Sequence, residues 1–167
     1  MNARAIIESF DSLVVVDVQP AMAKHYSHDY ARRVVAAMNE APRVLAYFVG
    51  REIGYPDTAE DVREYFVELG LEDADKVQFV EKTYGWFRDR IDADDPYEEI
   101  VADVKVGLET DDWEPAGGCP DDSVLSSLPR YRFANLAGGE AGSCVDEIQI
   151  LGDAMGLRLK RINSLVY

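Results

Sequence analysis

A chain of 167 residues, 47% of them hydrophobic, can bury one substantial core and falls within the usual size of a single domain. Its 17 basic and 32 acidic residues leave a net charge of −15, a surface that repels phosphate backbones and argues against nucleic acid or anionic membrane as a partner. No stretch approaches the roughly 20 apolar residues of a membrane span, and Met1 to Phe10 mixes Arg4 and Glu8 into a short apolar run without a signal-peptide core, so a cytoplasmic protein is expected.

The acidic, lysine-poor balance also resembles that of proteins from salt-loving organisms, where screening relieves self-repulsion; an ordinary acidic protein is the other reading. Cys119 and Cys144 fit no disulfide framework of a small secreted domain. Each is read as a thiol, with a disulfide between them as the alternative.

In chain order, the first element is Leu13-Val14-Val15-Val16, a continuous β-branched run stopping at Asp17, as expected of a strand buried on both faces of a parallel sheet. Ala31, Val34, Val35 and Met38 then mark one apolar helix face. A second strand is expected over Val44 to Val49, ending at Gly50. Ala59, Val62, Phe66 and Leu69 form the next helix behind a cap at Asp57. Val77 to Val80 reads as a third strand, ending at Glu81 and Lys82. Ile100, Val101, Val104 and Leu108 follow Asp95-Pro96 as a third helix, whereas Thr110 to Pro129 lacks periodicity and reads as a long surface loop, secondarily a lid. A fourth strand over Tyr131 to Ala137 runs into Gly138-Gly139. The last helix carries Val145, Ile148, Leu151 and Met155 behind Ser143 as cap, with Asp146 in a box-like position, and Leu157 to Ile162 is the fifth strand.

Alternating strands and helices predict a three-layer, doubly wound α/β domain over residues 1–167, with a mostly parallel sheet of five or six strands and helices on both faces. Ligands of such sheets bind beyond the carboxyl ends of the strands. That rule selects Asp17 and Gln19 after the first strand, Gly50 and Arg51 after the second, and Lys82 with Tyr84, Trp86, Phe87 and Arg88 after the third. The fourth delivers the turn Gly138 to Ser143 and puts Cys144 in the first turn of a helix, where unpaired N–H groups and the helix dipole favour thiolate. Taken singly, Cys144 could be a core thiol, Asp17 a backbone cap and Lys82 a surface charge. Together they offer a nucleophile, a proton acceptor and a cation. With two positive influences on its sulfur, Cys144 is expected to titrate below the ordinary value of about 8.5 and to alkylate faster than Cys119.

These residues resemble the isochorismatase-like cysteine hydrolases, which include nicotinamidases and N-carbamoyl amide hydrolases. Val14 to Gln19 with Met22 is similar to the family's apolar strand and Asp-x-Gln. Lys82 with Phe87 is similar to its lysine segment, with Thr83 where a proline is usual. Gly138 to Val145 is similar to its cysteine block, with Ala141 and Gly142 where Thr and Asp are usual. The resemblance implies Cys144 as nucleophile, Asp17 as base, Lys82 as orienting cation, and backbone N–H groups of Ala141 and Cys144 as an oxyanion hole. It implies hydrolysis of an amide-type carbonyl in a small molecule, with Gln19, Tyr84, Trp86, Phe87, Gly139 and Glu140 as pocket candidates. The Asp and His metal pair of nicotinamidases is missing after the second strand, and His25 and His28 read as a solvated face, so no metal and no cofactor are expected. A catalytically silent relative that binds a small metabolite or serves in an assembly is the alternative, and a homo-oligomer is left open.

Overall fold

The apolar runs become strands because only a sheet covered on both sides accepts side chains that are hydrophobic at every position. The computed structural model describes residues 12–167, so the reading of Met1 to Phe10 lies outside the described residues. Five strands form one sheet: β1 (Ser12–Val16), β2 (Arg43–Val49), β3 (Val77–Lys82), β4 (Phe133–Gly138) and β5 (Arg158–Val166). Their spatial order is β3-β2-β1-β4-β5 and every pairing is parallel. The order reverses at β1, whose two neighbours lead to opposite edges, and that switch point opens a crevice at the carboxyl ends of β1 and β4.

Successive side chains of each strand feed opposite layers. Leu13 and Val15, with Val44, Ala46 and Phe48, pack against Val34, Val35 and Met38 of α1 (His28–Glu40) and Val62 and Phe66 of α2 (Ala59–Glu68). Val14 and Val16, with Leu45, Tyr47 and Leu136, face the other layer. There Ile100 and Val104 of α4 (Tyr97–Thr110), Val124 of α5 (Asp122–Ser127) and Ile148 and Leu151 of α6 (Cys144–Ala154) complete a second core. A short helix, α3 (Arg88–Asp92), follows the β3 loop. The fold is therefore the expected three-layer α/β arrangement. Among the described residues, no helix is long and apolar enough to cross a membrane.

Three local expectations are corrected. Asp57 does not cap α2: Thr58 does, in a capping box with Asp61, and Asp57 is turned inward as a buried acceptor. Ser143 occupies the cap position of α6 but makes no capping bond; its hydroxyl meets Arg88 instead, and Asp146 pairs with Arg161. The 110–129 segment is not a loop throughout. It buries Ala116, stacks Trp113 against Gly107, contains the whole of α5, and is tied to the end of β3 by Asp121, which accepts from Thr83 N at 2.5 Å and Thr83 Oγ1 at 2.7 Å.

Candidate active site

β1 delivers Asp17 in a left-handed backbone conformation (φ 54°), with its N–H held by the Tyr47 carbonyl at 2.9 Å. A non-glycine residue held there is uncommon and turns the carboxylate off the strand line toward the crevice. From two strands away, the last residue of β3 sends Lys82 Nζ to Asp17 Oδ2 at 3.1 Å and to the Thr83 carbonyl at 3.3 Å. Asp17 is 2% and Lys82 3% exposed, so this ion pair is buried. Asp17 Oδ1 is buried as well, and it finds no hydrogen-bond donor among the described residues.

β4 supplies the third group. Gly138 sits at φ 106°, where an added Cβ would stand 2.0 Å from the Val16 carbonyl oxygen, so only glycine lets this turn lie against β1. The chain passes through a cis Gly139-Glu140 peptide into α6, at whose first residue Cys144 is 9% exposed. Asp17, Lys82 and Cys144 are thus brought together at one sheet edge. Asp17 and Cys144 line one cavity of about 410 Å³ with Met22, His25, Tyr84 and Glu140, among others. A larger cleft of about 690 Å³ lies away from them, between the β3 edge and α5.

The electrostatics differ from expectation. Burial, and then the negative charge of Asp17, push the Cys144 thiol up to about 12, while Lys82 pulls the other way. The helix N-terminus and Lys82 therefore do not make a resting thiolate; the proton stays on sulfur beside a carboxylate that can take it. Burial also works against the Lys82 ammonium, but the charge of Asp17 and its hydrogen bond lead the influences that outweigh it and hold the lysine above its usual value.

The oxyanion turn is rearranged too. The Ala141 N–H donates to the main-chain oxygen of Tyr167 at 2.6 Å, so it is engaged. The N–H groups of Glu140 and Cys144, both residues of the cavity wall, have no acceptor among the described residues. Tyr167 also donates its hydroxyl to the Asp17 carbonyl at 2.8 Å and lays its ring where a Gly139 side chain would be.

Of the expected pocket residues, Tyr84 and Glu140 line the cavity and Gly139 lies beneath the Tyr167 ring. Gln19, Trp86 and Phe87 do not line it. Gln19 is fully buried, its amide donating to the Val49 carbonyl at 2.8 Å and Asp57 at 2.6 Å and accepting from Val49 N at 2.8 Å. Phe87 is fully buried in the second core, and Trp86 packs beside it with its indole N–H on Thr83. The wall also includes residues outside the expected pocket set: His25, Tyr55, Ser143, Tyr167 and Arg88, whose guanidinium bonds Ser143 Oγ at 2.6 Å. Of these, Arg88 and Ser143 follow strand ends and His25 stands out by residue type, whereas Tyr55 and Tyr167 carry no signal in the sequence.

Among the described residues, no cluster of His, Cys, Asp and Glu is placed to hold a metal ion. Both cysteines are free thiols, Cys119 exposed and Cys144 buried, so the disulfide alternative falls. A scan against family models and searches of curated proteins and of solved structures return no match to this chain.

Proposed function

We propose that the chain is a cysteine hydrolase acting on an amide-type carbonyl of a small molecule. The observation that carries this reading is the buried Lys82–Asp17 pair with one Asp17 oxygen unpartnered, set beside a thiol at a helix N-terminus on a 410 Å³ cavity. Asp17 takes the thiol proton as sulfur attacks the carbonyl carbon, and the N–H groups of Glu140 and Cys144 receive the developing oxyanion. The C–N bond breaks, and the amine leaves with the proton returned by Asp17. Water then attacks the thioester, Asp17 accepts its proton, the C–S bond breaks and the thiol is restored as a carboxylate product leaves. Lys82 offsets the negative charge and fixes the Asp17 rotamer. A resting thiol that gives up its proton only as it attacks suits the elevated Cys144 value. The resemblance to isochorismatase-like hydrolases points to the same residues.

The test is turnover of a panel of small amides and N-carbamoyl compounds, with mass spectrometry for an acyl adduct. Cys144→Ala should remove hydrolysis by roughly 10³-fold or more. Turnover unaffected by that substitution, or no turnover and no adduct across the panel, overturns the reading. A second reading, a silent protein that holds a small metabolite in the same cavity, is favoured by one observation, the engagement of Ala141 by Tyr167. It requires Cys144→Ala to bind that metabolite undiminished.

A further inference from the structure

Glu147 lies one turn beyond Cys144 on α6 and is 1% exposed. Both its carboxylate oxygens are used: Oε1 accepts from Phe87 N at 2.9 Å and Oε2 from Gly85 N at 3.0 Å. The loop it grips begins immediately after Lys82 and carries Tyr84 to the cavity wall. A buried carboxylate is costly unless its lone pairs are filled, and charge-assisted bonds to two backbone N–H groups fill them while fixing the loop in one conformation. Gly85 meets this demand with a left-handed backbone (φ 85°), a conformation in which side chains are disfavoured.

From this arrangement we infer that Glu147 is a positioning residue: it clamps the 83–87 loop onto the nucleophile helix and supplies the second buried negative charge that holds Lys82 as an ammonium beside Asp17. The inference rests on the reading of Asp17, Lys82 and Cys144 as the reacting groups. The groups facing Lys82 come from three directions: Asp17 beyond β1, Cys144 and Glu147 from α6, and the Trp86 ring 6.0 Å away on its own loop. Asp17 alone is a weak guarantee of the ammonium, because during reaction it becomes protonated and its charge is cancelled. Glu147 does not share the proton and keeps its charge through that step. The same Lys82 charge acts back on Glu147, which burial otherwise drives toward the neutral acid.

The test reads Lys82 directly and needs no substrate. The chain has five lysines, so side-chain ¹³Cε NMR resolves them, with Lys82→Met assigning the signal. In the unaltered protein the Lys82 signal should show no deprotonation up to about pH 10. In Glu147→Gln, which keeps the shape but drops the charge, its midpoint should fall by at least about half a pH unit. In Glu147→Asp, which keeps the charge but is one methylene too short to reach both N–H groups, the midpoint should hold while amide exchange at Gly85 and Phe87 accelerates by tenfold or more. A Lys82 midpoint that is the same in all three proteins, or that moves equally in Gln and Asp variants, overturns the inference whatever the amide panel shows. A chain with the expected Lys82 shifts and no turnover overturns only the hydrolase reading.

Discussion

Two buried polar networks lie side by side at the carboxyl edge of the sheet, and they are finished differently. In one, Gln19 and Asp57 tie the loop after β1 to the end of β2, and each side chain finds partners: Gln19 makes three bonds, and Asp57 Oδ2 accepts from both Gln19 and Ala21 N. In the other, Asp17 has one oxygen filled by Lys82 and one unfilled, and Cys144 keeps a proton against a neighbouring carboxylate. A satisfied network holds backbone in place. An unsatisfied one carries the stability cost of an orphaned buried polar atom, here beside a cavity.

The comparison breaks first at the ion pair. Asp17→Ala or Lys82→Met leaves one buried charge without its partner and should cost about 3–5 kcal/mol in urea unfolding, while the double substitution should recover much of the loss. Additive losses would place the pair with the structural network instead. Gln19→Ala should come next, at about 2–3 kcal/mol, because it strips partners from Asp57 and from both backbone groups of Val49. It should leave the alkylation rate of Cys144 unchanged; a change as large as that from Lys82→Met would merge the two networks.

A third effect depends on pH. The Cys144 value is raised in the folded chain, so the stability it contributes is complete below about 9 and is lost as pH climbs through about 12. The native protein should therefore lose stability relative to Cys144→Ala over that window, and iodoacetamide should label Cys144 about tenfold faster per pH unit from 7 to 10 without levelling. A plateau near neutral pH would mean a ready thiolate and sink the account of a proton held until attack. The smallest effect concerns the surface alone: with a net charge of −15, the melting temperature should rise by a few degrees from low to molar salt through screening. A flat response would remove the salt-adapted reading and leave both networks untouched.

The layered fold was legible because Leu13 to Val16 and Val44 to Val49 are apolar at every position, a pattern that few structures other than a doubly covered parallel strand satisfy. Strand ends were less so. β3 continues through Glu81 to Lys82, and β5 reaches Val166, because backbone pairing with β2 and β4 carries polar residues that hydropathy does not mark. α3 and α5 are five and six residues long, too short to show a helical period. Asp17, Lys82 and Cys144 could be found from the rule that chemistry follows strand ends. Which neighbours face the cavity could not: Phe87 and Tyr84 are three positions apart, yet one is fully buried and the other 46% exposed. Glu147 was invisible for the same reason, since its partners are backbone groups some sixty residues away in the chain.

The bond from the Tyr167 hydroxyl to the Asp17 carbonyl joins residues 150 apart in sequence, across a sheet whose outer strand must already be docked. Closing so long a loop is among the slower events available to a folding chain. Asp17 and Cys144 therefore acquire their final setting only when β5 is seated, and a partly folded chain carries these two side chains without the walls around them. The burial-suppressed thiol becomes a natural clock for maturation: in a refolding time course, fast early labelling of Cys144 should give way to protection at the moment the last strand locks.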